Sequence, residues 1–291
     1  MEIAAIFALA LAGGTEPAEA RASVTAGMDC TPFTWVAAGE HERAAMLVPV
    51  SINGRTYDFQ LDTGADASFI SEAVAVEAGL MEPGAGGARV EDIKLGGTSV
   101  GPRWLLSRGS TGTVGLDMLV GFTTVIDYPA QRFCVTPTAD LPFPIYKDTA
   151  WTDAVLRDGK LFVPVKIGEE TRSDYFFDTG ASLFPLSVDL SRWQQLTARN
   201  SAAAADRRMS ANSWGARVEL VGAASVRPIG IASLPPAKID VYYSTGGVER
   251  FASYPFGASG LFGNAALWDR TVVLTLGSRP QFGIVGQDQK Q

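Results

Sequence analysis

The sequence predicts a mainly β chain built as two similar lobes, and three observations carry that expectation. A unit of sequence occurs twice, its strand-like runs are short and rich in Val, Ile, Thr, Tyr and Phe, and Gly, Pro, Asn or Asp bounds most of them. β-branched and aromatic side chains fit a pleated, half-buried surface, so helices are expected in few places.

The first copy runs Leu47-Val48-Pro49-Val50, then polar residues, then Tyr57 to Asp62-Thr63-Gly64-Ala65. The second runs Phe162-Val163-Pro164-Val165, polar residues, and Tyr175 to Asp178-Thr179-Gly180-Ala181. Each continues to an apolar stretch ending in serine, at Ser71 and Ser187, and later to an apolar segment closed by glycine, Thr113-Val114-Gly115 and Leu261-Phe262-Gly263. Strand-like runs follow in both, Thr123 to Tyr128 with Gln131 to Val135, and Thr271 to Leu276 with Gln281 to Val285. A serine cap, an acidic first turn and a late glycine predict a helix from Ser71 to Leu80, and a second is expected from Val188 to Thr197. The Pro-rich stretch near Thr136 to Thr149 reads as the connector. The expected division is a lobe at 23–138, a connector at 139–150 and a lobe at 151–291.

With 291 residues, 46% apolar and 19% charged, the chain can fill one large or two medium interiors. A net charge of -7 without any basic run argues against a nucleic-acid partner, because such proteins displace phosphate counterions with clustered Lys and Arg. Residues 1–22 hold an apolar stretch from Ile3 to Leu11, too short to span a bilayer, and then the small-residue sites Ala18-Glu19-Ala20 and Ala20-Arg21-Ala22. They read as a cleaved secretory signal, although Glu2 stands where Lys or Arg is expected, and they imply a periplasmic or secreted protein with no membrane contact after signal removal. Cys30 and Cys134 permit one disulfide in such a protein, or remain two buried thiols. Two cysteines and one histidine are too few for a structural zinc site, and no metal or cofactor is expected.

One Asp-Thr-Gly loop is a common turn; two at the same place in a repeated unit, each after a buried-strand pattern and before alanine, are not explained by turn chemistry alone. The pair, with the apolar-Gly segments downstream, resembles the aspartic peptidases, the pepsin and retropepsin superfamily. The resemblance covers nearly all of the chain after the signal. The alanine after each loop, and Gly115 to Leu119 leading to Val125-Ile126-Asp127-Tyr128-Pro129, are similar to bacterial retropepsin-like proteins. It implies two acid-protease β-barrel lobes packed as a pseudo-two-fold dimer around an active-site cleft. Because one chain carries both loops, a monomer suffices.

The same resemblance makes Asp62 and Asp178 the catalytic pair. Two carboxyl groups about 3 Å apart cannot both ionise cheaply, so they share one proton. The ionised member takes a proton from water attacking a peptide carbonyl, and the protonated member donates to the forming oxyanion. Thr63 and Thr179 are expected to hydrogen-bond across the lobes, and Gly64 and Gly180 to bring backbone N–H groups to the carboxylates. The implied partner is a peptide or unfolded protein; the alternative is a peptide-binding protein of the same fold that does not cleave. Alanine after each loop removes a hydroxyl that could stabilise the ionised aspartate, so activity is expected to extend to mildly acidic pH.

Other signals are weaker. No tyrosine lies between Ala65 and Gly115, where pepsins carry their flap tyrosine, so Gly84-Ala85-Gly86-Gly87 is a small flap or a plain loop, or the flap is lost. Trp214, Tyr242 and Tyr243 are assigned to the core rather than to a substrate groove. Gly97-Thr98-Ser99-Val100-Gly101 fits a serine-hydrolase elbow, but the single histidine precedes it, and a turn is the better reading. His41 is expected in a solvated loop, and Asp66 and Asp117 as structural acceptors.

Overall fold

The first repeated hairpin shows how the chain folds. Strand His41–Ile52 alternates buried Met46, Val48, Val50 and Ile52 with more exposed neighbours, so one face packs inward. Asn53 and Gly54, with φ of 50° and 79°, turn it into strand Arg55–Leu61, a tight turn whose twist matches that of the strands. In the second copy the matching hairpin joins strand Lys160–Ile167 to Glu170–Asp178 through a turn at Gly168, with φ of 60°, while Asp158-Gly159, at 51° and 67°, turns the short strand Val155–Arg157 into Lys160–Ile167.

The computed structural model describes residues 24–25, 27–82, 92–102, 104–107, 111–213, 216–246 and 250–286. The signal reading at 1–22, the glycine run at 84–87 and Trp214 lie outside them. Within them the chain is mainly β, arranged as three sheets.

An eight-stranded sheet is formed by residues of the first half, between Thr34 and Val114, and a nine-stranded sheet by residues of the second, between Val155 and Gly263. The repeats correspond. Strand Arg55–Leu61 pairs in parallel with Gly112–Val114, and Glu170–Asp178 in parallel with Gly260–Gly263. A short third strand, Phe69–Ser71 or Leu186–Val188, closes each arrangement on the far side of that partner.

The third sheet, of six strands, is shared. Cys30–Pro32, Arg132–Pro137 and Phe122–Asp127 come from the first half; Thr271–Thr275, Gln281–Val285 and Thr149–Asp153 complete it. Phe122–Asp127 and Thr271–Thr275 lie antiparallel at its centre, with Val125 opposite Val273, so the pseudo-two-fold axis runs between duplicated strands. These two strands are buried along nearly their whole length, as strands covered on both faces must be. The largest apolar cluster draws residues from both halves.

Helix Glu72–Glu77 is capped by Ser71, whose Oγ accepts from Val74 N at 3.3 Å. The second expected helix is Leu190–Thr197. Connector residues 139–150 contain helix Phe143–Asp148, and Thr149 already belongs to a strand of the shared sheet. Cys30 and Cys134, opposite each other in that sheet, are bridged. His41 corrects an expectation: it opens a strand, half-buried, because Ala38 pairs with it across the preceding turn. Tyr242 and Tyr243 are buried in the core. Thr98 and Ser99 form a two-residue strand after the Gly96-Gly97 turn.

Candidate active site

Each repeated strand delivers its aspartate to the seam. Asp62 follows strand Arg55–Leu61 and donates its N–H to Val114 O at 3.0 Å, while Asp178 ends its strand opposite Gly263. The parallel partner strands therefore fix both loops from behind. A side chain on Gly115 would collide with the Ala67 carbonyl, and one on Gly263 with the Ala181 carbonyl, which explains the glycine closing each apolar segment.

The two loops meet. Thr63 N donates to Thr179 Oγ1 at 2.9 Å, and Thr179 N to Thr63 Oγ1 at 3.0 Å. Each hydroxyl then donates across the seam, Thr63 to Phe177 O and Thr179 to Leu61 O, both at 3.0 Å. All four bonds are buried, where they are electrostatically strongest.

This lattice sets the aspartates face to face. A Cβ on Gly64 would sit 2.5 Å from Asp178 Cγ, and one on Gly180 2.6 Å from Asp62 Cγ. Each glycine thus leaves room for the opposite carboxyl group, and the two carboxyls lie close enough to influence each other's ionisation. Gly180 N donates to Asp178 Oδ1 at 2.9 Å, and Gly64 and Ala65 N–H groups serve Asp62. The structure accordingly brings together all six residues singled out from the sequence, Asp62, Thr63, Gly64, Asp178, Thr179 and Gly180.

Burial pushes the Asp62 carboxyl well above the ordinary carboxylate range, and the charge of Asp178 and the hydrogen bond with it add to the rise. Asp178 is also raised by burial, against the lowering influence of the Asp62 hydrogen bond, the Gly180 and Ala181 N–H groups and the Arg250 charge. A pair of this kind holds one proton between two groups and titrates as a unit. Each residue nonetheless keeps a partly accessible edge. A cavity of about 420 Å³ opens beside the first loop, lined from both halves by Asp66, Asp117, Val120, Leu156 and Arg157 among others. Among the described residues, no group of three or more His, Cys, Asp or Glu side chains is placed to hold a metal ion.

Residues that the sequence did not point to support the loops. Ser68 Oγ accepts from Gly115 N at 3.0 Å and donates to Asp117 Oδ1 at 2.6 Å, giving Asp117 its acceptor role. Asp189 takes Phe251 N and Ala252 N, each at 2.8 Å, and so holds the segment that carries Arg250. Asn264, directly after Gly263, bonds to both the second loop and Tyr128. Aligning the two repeats would have flagged it, since the first copy has Leu116 at that place.

The paired Asp-Thr-Gly loops and their apolar-Gly supports resemble those of the aspartic peptidases. The family described as "gag-polyprotein putative aspartyl protease" matches residues 48–107, the stretch containing the first loop. No curated protein matches the sequence. Among solved structures, basic 7S globulin from soybean is 12% identical, with 88% of this chain and 93% of that one covered and a TM-score of 0.47. The retroviral protease-like domain of Ddi1 from Leishmania major is 21% identical, with 34% of this chain and 98% of that one covered and a TM-score of 0.25.

Proposed function

We propose that this chain is an aspartic endopeptidase that hydrolyses peptide bonds with a water molecule activated between Asp62 and Asp178. The observation that supports it most directly is the placement of the two carboxyl groups at the seam, each against the glycine of the other loop. A water held between them would lose a proton to the ionised carboxylate as its oxygen bonds to the scissile carbonyl carbon. The protonated carboxyl would donate to the carbonyl oxygen; collapse of the resulting diol then breaks the C–N bond, with the proton passing to the departing nitrogen. A peptide would lie extended in the cleft, where backbone hydrogen bonds hold it and pockets select side chains.

A single chain supplies both loops, so the working form is a monomer. Its site of action is outside the cytoplasm, periplasmic or secreted; the Cys30–Cys134 disulfide supports an oxidising compartment. No helix among the described residues is long and apolar enough to cross a membrane.

The test is incubation of the purified chain with a diverse peptide library from about pH 3 to about pH 7. Cleavage blocked by a pepstatin-type inhibitor, abolished in Asp62→Asn and in Asp178→Asn, and strongest at mildly acidic pH is expected. Peptide binding without turnover would instead identify a non-cleaving binder of the same fold.

A further inference from the structure

The backbones of the two loops are near copies, but their support is not. Leu116 N donates to Ala65 O at 2.8 Å, and Asn264 N, at the matching place, donates to Ala181 O at 3.1 Å. The side chains then differ. Asn264 is fully buried; its Nδ2 donates to Thr179 O at 2.7 Å and Ser182 Oγ at 2.8 Å, and its Oδ1 accepts from Tyr128 Oη at 2.6 Å. A backbone carbonyl can only accept, so Nδ2 must face Thr179 and Oδ1 must face Tyr128. Burial keeps the Tyr128 hydroxyl protonated, as a donor needs to be.

Thr179 O and Gly180 N–H belong to one planar peptide unit. Holding the oxygen therefore aims the N–H, and that N–H is the group donating to Asp178 Oδ1 at 2.9 Å. A hydrogen bond at one end of a peptide also polarises the other end and strengthens it as a donor. Leu116 can do neither for the Thr63–Gly64 peptide.

We propose that Asn264, set from the first half by Tyr128, is a positioning residue that makes Asp178 the ionised member of the pair and leaves the shared proton on Asp62. This rests on the peptidase reading and assigns the two roles within it. The charged groups bearing on Asp178 are Asp62 and Arg250. Arg250 is exposed, with its Nε bonded to Tyr254 Oη at 3.1 Å, so solvent and salt screen it, whereas Asn264 acts from the interior.

The experiment compares Tyr128→Phe, which removes one oxygen, and Asn264→Leu, which installs the first-half residue, with the parent chain. Both variants should move the acidic limb of the kcat profile upward by about half a unit to one unit, because ionised Asp178 loses stabilisation. Below that limb kcat should fall about three- to tenfold while KM changes less than about twofold. Retention of the parent's acidic limb in both variants overturns the proposal, and Tyr128→Phe alone decides it should Asn264→Leu not fold. If the parent cleaves no peptide, the peptidase reading falls separately and thermal unfolding is the readout. The loss of stability in Tyr128→Phe should then grow as pH rises, and that pH-dependent part should vanish in an Asp178→Asn background; a loss independent of pH overturns the assignment.

Discussion

Thr63 and Thr179 exchange hydrogen bonds across the seam, each backbone N–H reaching the other's hydroxyl oxygen, at 2.9 and 3.0 Å. Because each hydroxyl also donates to a carbonyl of the opposite half, one threonine holds two groups of its neighbour. Thr63→Val keeps the shape and leaves Thr179 N–H and Phe177 O buried without partners. A loss of about 2–4 kcal/mol in denaturant unfolding is expected. The double variant with Thr179→Val should lose less than the sum of the singles, since the two share partners; strict additivity would show that they do not act as one unit.

The room left by each glycine is equally specific. In Gly64→Ala the new methyl would press on the Asp178 carboxyl group, 2.5 Å from its Cγ, and Gly180→Ala would press on Asp62. Displacing a reacting carboxyl by about 1 Å costs roughly 10²-fold in rate. Steady-state kinetics of either variant should show kcat reduced by about that factor or more, and activity within about twofold of the parent would contradict the geometry.

Stability should depend on pH through the same pair. Both carboxyls are raised above the ordinary 3.8, so in the folded state they release protons later than in the unfolded chain. Their contribution is therefore complete below that value and is lost as pH rises through the folded-state range. Asp62→Asn removes the titrating group, so the parent should lose stability relative to this variant between about pH 4 and about pH 7. Melting curves of the two proteins that stay parallel over that interval would refute the raised values.

The bridge between Cys30 and Cys134 closes a loop spanning 104 positions. Restricting an unfolded loop of that length accounts for about 2–5 kcal/mol. Reduction, or a Cys30→Ser and Cys134→Ser pair, should lower stability by that amount in denaturant titrations. No change on reduction would mean that neighbouring strands hold the N-terminal strand unaided.

The features legible in the sequence are those written in neighbouring residues. The two Asp-Thr-Gly loops sit between runs whose apolar alternation and glycine closure are local, and Ser71 announces its helix through a side chain three positions from its partner. Tyr128 and Asn264 are 136 positions apart, and nothing near either residue indicates the other. The pairing of Cys30 with Cys134 was open for the same reason, since it follows from the register of two strands. His41 was misplaced because the charged residues about it, Glu40, Glu42 and Arg43, look like a loop, whereas pairing with the Thr34–Ala38 strand decides its conformation.

The six-stranded sheet has a mechanical consequence. Five cross-strand residue pairs join Phe122–Asp127 to Thr271–Thr275, so prising the halves apart means tearing a ladder rather than bending a hinge. Three of the strands on either side of that line belong to the same half, and a break in the peptide chain near Leu141 would leave the ladder unharmed. Nicking there should yield two fragments that migrate as one particle until denatured.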